Sequence, residues 1–167
     1  GRRSDPMTGD ADYHAGLVLR NVLFRLRARV NDDCIPRVTF TDPELAQIGL
    51  TEAEAGQRGI KIRVARWPYH DNDRAQAEGA PRGHIKVITT AKGRIVGVTI
   101  VGAQAGELIA MWVLAVARNL NLRDVMDLVL SYPTLSEIGK RAAIDYFLPS
   151  LTGVWARRII GWMRSFG

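Results

Sequence analysis

Cysteine is almost missing from this 167-residue chain, with Cys34 the only one. A single thiol excludes an intramolecular disulfide, a Cys-x-x-Cys redox pair and any cysteine-built zinc cage. Long apolar runs are missing too. None approaches the roughly 18 residues that a spanning helix needs, and Gly1-Arg2-Arg3-Ser4-Asp5-Pro6 has no signal-peptide core. The expected location is therefore the cytoplasm. There is no Gly-x-Gly-x-x-Gly, no phosphate loop and no Cys-x-x-x-x-Cys pair. A complete nucleotide-dependent enzyme is not encoded here. The three histidines, His14, His70 and His84, share no metal-ligand spacing, so no metal site is expected.

What is present is ordinary globular protein, 47% apolar and 24% charged. The length suits one domain with a real core. The net charge of +6 raises the question of nucleic acid. The arginines crowd the two ends, at Arg20, Arg25, Arg27 and Arg29 and again at Arg157, Arg158 and Arg164. No basic run alternates with aromatics as a binding groove requires, so a nucleic-acid partner is not expected.

Helical spacing runs from about Tyr13 to Arg29. Arg37 to Thr41 is rich in β-branched and aromatic residues and reads as a strand, with a second extended piece at Leu45 to Leu50. Thr51-Glu52-Ala53-Glu54 is a capping box that opens a short helix, stopped by Gly59. Ile60 to Trp67 alternates apolar and basic residues as a strand with one wet face, and Pro68 ends it. A polar loop reaches to Gly83. Strands at His84–Thr89 and Arg94–Val101 follow, joined by the hairpin loop Ala91-Lys92-Gly93. Ala105 to Arg118 is apolar almost all round and reads as a buried helix. Shorter helices are expected at Arg123–Leu130 and Thr134–Phe147, before Pro149 and Gly153 break the pattern. Strands early and helices late point to an α+β fold, an antiparallel sheet packed against helices.

Two stretches are distinctive, Val38-Thr39-Phe40-Thr41-Asp42-Pro43-Glu44 through Glu54, and Tyr132-Pro133-Thr134-Leu135-Ser136-Glu137. Between them lie Asn72-Asp73-Arg74-Ala75, Gly83-His84-Ile85-Lys86-Val87 and Arg94 to Gly102. In this order the chain resembles, from about Ile35 to Ala143, the C-terminal dimerisation domain of the pyridine nucleotide-disulfide oxidoreductases. That family includes dihydrolipoamide dehydrogenase, glutathione reductase and mercuric reductase. Tyr13 to Asn21 resembles the helix that closes the family's FAD domain.

The resemblance implies two parts, 1–34 as lead-in from an FAD domain and 35–147 as the interface domain; beyond it, helical spacing reads 148–167 as a basic amphipathic helix. The resemblance implies a homodimer and a longer oxidoreductase with FAD and NAD(P) domains upstream, neither cofactor being expected on this chain alone. It also implies that the loop Ser131-Tyr132-Pro133-Thr134 reaches the partner's flavin, with Tyr132 and Glu137 as catalytic residues and Tyr132 and Pro133 touching the cofactor. Pro133 fixes its own backbone and admits a cis bond before it. Thr134 or Ser136 can cap the next helix, and Glu137 falls in its first turn, where a carboxylate also gains from the helix dipole.

One departure matters. Disulfide-reducing relatives carry His where this chain has Tyr132, and that His shuttles the thiol proton. An ordinary His titrates near ~6.5 and Tyr near ~10, so Tyr as a neutral-pH base is worse by roughly 5 kcal/mol. Tyr132 can donate a hydrogen bond to a thiolate or ligand instead. Mercuric reductases have a Tyr in this region, but also a vicinal cysteine pair near the C-terminus that this tail lacks. The rival reading is a non-catalytic interaction or membrane-docking module. It draws on Trp155, Ile159, Trp162, Met163 and Phe166, which share one face of a basic helix; packing on its own domain is the expected fate of that face, the alternatives being docking on the upstream domains and contact with an anionic membrane surface.

Overall fold

A computed structural model of the chain describes residues 32–152. The expected helices at Tyr13–Arg29 and Val154–Phe166 lie outside the described residues. Five strands form one antiparallel sheet in the order β1-β2-β5-β4-β3. They are β1 (Arg37–Thr39), β2 (Glu44–Gly49), β3 (Ile62–Pro68), β4 (His84–Thr90) and β5 (Ile95–Gly102). The long β4–β5 hairpin supplies the centre, turning at Gly93, whose φ of +85° suits glycine.

The register builds the core. Ile48, Val98, Val87 and Ala65 pair across four strands, and Ala46, Ile100, Ile85 and Trp67 form the next row. Because side chains alternate along a strand, both rows share one face. Helix α3 (Ala105–Ala117) covers β2 and β5, and helix α5 (Glu137–Thr152) covers β3 and β4. Ile109, Trp112 and Ala115 from α3 join Ile138, Ala142 and Tyr146 from α5 in that core. The Tyr146 hydroxyl lies 3.1 Å from that of Thr89, and the Arg63 guanidinium sits 4.1 Å over the Tyr146 ring.

Helix α1 (Glu52–Gln57) starts as its sequence dictates. The Glu54 amide donates to the Thr51 hydroxyl at 3.2 Å, and the Thr51 amide returns a bond to the Glu54 carboxylate at 2.9 Å. That amide, joined by the Thr51 hydroxyl donating to the same carboxylate at 2.9 Å, holds the Glu54 carboxyl below its ordinary range. Ala55 then closes a second small cluster with Leu50, Ile88 and Val96. Among the described residues no helix is long and apolar enough to cross a membrane.

The α+β architecture is as read from the sequence, but four local expectations change. The polar stretch before Gly83 is not all loop: it holds a 3₁₀ turn (Tyr69–Asp71) and helix α2 (Asp73–Ala77). Helix α3 is not buried all round. It buries one face, while Leu114 is 56% exposed. Helix α4 (Leu122–Met126) ends four residues before Leu130. Helix α5 runs past Phe147 and through Pro149. The amide that Pro149 lacks would have bonded the carbonyl of Asp145, and both residues are exposed, where water can replace the donor.

Two predictions follow from this packing. A Cβ on Gly97 would overlap the carbonyl oxygen of Leu50, a backbone atom that cannot swing aside. Gly97→Ala is expected to cost about 1–3 kcal/mol or more in urea unfolding. Gly56→Ala, in open space inside α1, should instead be neutral or gain up to about 1 kcal/mol. The second concerns pH. Burial, with the Glu44 charge second, pushes the Tyr69 phenol far above its usual range. An unfolded tyrosine releases its proton near ~10, so this contribution is complete below about pH 10 and is lost as pH rises further. Urea midpoints should fall in that alkaline window, and Tyr69→Phe should flatten most of the slope.

Candidate functional site

The loop between α4 and α5, from Asp127 to Ser136, carries the residues expected to act. Its physical problem is that a surface loop must be held in one shape without strand or helix bonds. Leu135 solves part of this by plugging into the core beside Ile138. The Lys140 ammonium donates to the Leu128 carbonyl at 2.6 Å, and the Thr134 hydroxyl donates to the Ser131 carbonyl at 2.9 Å. The Tyr132–Pro133 peptide bond is cis.

The strongest tie comes from α2. Asn72 is 4% exposed. Its side-chain oxygen accepts from the Ala75 amide at 2.9 Å, capping α2, and its side-chain nitrogen donates to the Thr134 carbonyl at 3.0 Å. The next residue, Asp73, accepts a 2.7 Å hydrogen bond from the Tyr132 hydroxyl. Beneath them, the buried Tyr69 hydroxyl donates to the Ala103 carbonyl at 3.0 Å.

Tyr132 and Glu137 are brought to the same loop, as expected. Tyr132 is 69% exposed and Glu137 is half-buried. Thr134 does not cap α5 with its hydroxyl. Its amide donates to the Glu137 carboxylate at 3.3 Å, so Glu137 also steadies the loop. Asp73, through its hydrogen bond and then its charge, holds the Tyr132 phenol above its ordinary range. Glu137 acts in the same direction and Arg141 against it. A phenol raised in this way is even less often ionised at neutral pH than an ordinary tyrosine, and its proton is directed at Asp73. In the single chain that hydroxyl donates to Asp73.

In the sequence, Asn72-Asp73-Arg74-Ala75 carries no sign of this role. An Asn before a short polar segment is a cap signal, but its second bond joins residues 62 apart and leaves no local trace. Among the described residues no group of three or more His, Cys, Asp or Glu can hold a metal ion. The same loop also exposes two apolar side chains, Val129 at 96% and Leu128 at 37%.

Comparison with known proteins agrees with the fold. The family model described as pyridine nucleotide-disulphide oxidoreductase, dimerisation domain, matches residues 35–143, and the chain belongs to that family. It is 36% identical over 138 residues to the mitochondrial dihydrolipoyl dehydrogenase of Schizosaccharomyces pombe, covering 82% of this chain and 27% of that protein. The dihydrolipoyl dehydrogenase of Trypanosoma brucei brucei is 36% identical over 147 residues, 87% of this chain and 31% of its own length. The mercuric reductase of Bacillus cereus is 32% identical over 137 residues, 81% and 22% respectively. The chain thus spans less than a third of these relatives. Among solved structures, LpdA of Mycobacterium tuberculosis superposes with a TM-score of 0.80 at 21% identity, over 86% of this chain and 32% of that one. The HOCl-induced flavoprotein disulfide reductase RclA of Escherichia coli gives 0.74 at 21%, over 90% and 34%.

The clamp can be tested by separating the two bonds of Asn72. Asn72→Asp keeps the oxygen that caps α2 and removes the donor to Thr134. It should cost about 1–3 kcal/mol through the unpartnered carbonyl and its new neighbouring charge. Amide exchange should accelerate across residues 131–137 and stay slow in β4 and β5.

Proposed function

We propose that this chain is the interface domain of a larger FAD-dependent, NAD(P)-linked oxidoreductase. It builds the homodimer and lends its α4–α5 loop to the redox centre of the partner subunit. Tyr132 and Glu137 act there on substrate, and Tyr132 with Pro133 lines the flavin edge. The observation that carries the reading is the contrast within one loop: its backbone is tied down by Asn72, Lys140 and Leu135, while Tyr132 is left projecting into solvent. A rigid loop with an exposed functional tip is what a site completed by another subunit requires.

Family membership supports the flavin and nucleotide assignments, and the names of the relatives support a reductase or dehydrogenase. Phe40, Leu45 and Leu114 are exposed apolar side chains of the kind a second copy would cover. Tyr132 is no proton shuttle at neutral pH, so this loop does not support the disulfide chemistry of the His-bearing relatives. A cytoplasmic setting fits the single cysteine.

Sedimentation at micromolar concentration should show twice the 18.5 kDa chain mass. Only the single-chain mass would count against the interface reading. In the full-length enzyme, Tyr132→Phe and Glu137→Gln should lower turnover and leave the flavin absorption band at full occupancy. Wild-type turnover in both variants would leave Glu137 with a structural role alone, at the helix dipole and the Thr134 amide.

A further inference from the structure

We infer that Asp73 is the positioning residue of the site: by accepting the hydroxyl proton of Tyr132, it fixes that ring and turns the phenol oxygen into a hydrogen-bond acceptor toward the substrate. The inference rests on the reading above that places Tyr132 at a redox centre.

The geometry supports it in three ways. A tyrosine hydroxyl has one proton to donate and two lone pairs. Here the proton goes to Asp73 over 2.7 Å, a length typical of a strong O–H to carboxylate bond. What remains for any incoming group is the pair of lone pairs. Second, the ring needs such a partner. It is 69% exposed, so packing alone does not select its rotamer. Third, Asp73 is itself well placed. It is the first residue of α2, and the neighbouring Asn72 is buried and bonded both to α2 and to the Thr134 carbonyl. Two adjacent residues therefore hold the loop at two points, one through backbone and one through the functional side chain.

The consequence is specificity. Facing Tyr132 are Asp73 from α2 and Glu137 and Arg141 from α5. With an acceptor oxygen and two carboxyl groups near it, the site favours a substrate atom that carries a proton to share, such as a hydroxyl of a reduced quinol-type ring or a neutral thiol. The phenol oxygen itself offers a thiolate no donor, Arg141 being the one cation among the groups that face it.

The test pairs a titration with turnover. In the 167-residue chain, the phenolate absorption of Tyr132 is isolated as the difference between wild type and Tyr132→Phe. Asp73→Asn should shift this titration to lower pH, since an amide keeps the shape and loses the charge. In the full-length enzyme, Asp73→Asn should lower turnover by up to about a hundredfold, as misplacement of a reacting group does, with the flavin spectrum unchanged. In the Tyr132→Phe background the same substitution should add no further loss, because the two residues act as one unit. An unshifted titration, or additive losses in the double variant, overturns the role of Asp73 while the reading of Tyr132 stands. Wild-type turnover of Tyr132→Phe overturns the reading of the site, and the role of Asp73 with it.

Discussion

One buried side-chain amide, that of Asn72, connects parts of the chain 62 residues apart. Its oxygen satisfies an orphan amide at the start of α2, and its nitrogen satisfies the carbonyl of Thr134. Burial gives the pair its weight. A polar group removed from water is costly unless bonded, and both ends of this amide are bonded. The position of α2 is thereby fixed relative to the loop, and the start of α5 follows, because Glu137 accepts from the Thr134 amide. Leu135, seated in the core between these bonds, prevents the loop from sliding.

On the proposed reading, this rigidity answers a problem of assembly. A loop that completes a site in another subunit must be shaped before the subunits meet, or ordering it would weaken both binding and catalysis. The electrostatics then act only after assembly. Tyr132 faces solvent in the single chain, where its interaction with Asp73 is screened. Covered by a partner, the same bond would lie in a medium of lower polarity and gain strength. The apolar tip at Val129 and Leu128 and the exposed Leu114 on α3 supply surface for such a partner.

The sheet was the most legible part of the sequence. Val87, Ile85, Val98 and Ile100 announce their strands by alternation and branching, and the Thr51 and Glu54 cap is written in four adjacent residues. Helix α2 was not legible, because five residues carry too little periodicity to stand out from a polar loop. Helix α3 was recognised but its setting was not. An all-apolar helix reads the same whether its second face meets its own core or a subunit interface. At Pro149 the expected break failed, because the lost bond falls at an exposed last turn. Of the site, Tyr132, Pro133 and Glu137 came from the motif that carries them. The partner of Tyr132 did not. A bond to Asp73, 59 residues away, is set by the fold and leaves no mark in either local stretch.

The central claim is that this loop works in trans, and a mixed dimer of the full-length enzyme tests it most directly. One protomer carries Tyr132→Phe and the other an inactivated upstream redox centre, with the two co-purified on separate tags. If the loop completes the partner's site, the competent redox centre meets the unaltered loop of the other protomer. The mixed dimer then retains about half the turnover of the wild-type dimer, one sound site of the two. Turnover no higher than half that of the Tyr132→Phe homodimer would mean that each loop serves its own subunit, and would contradict the account.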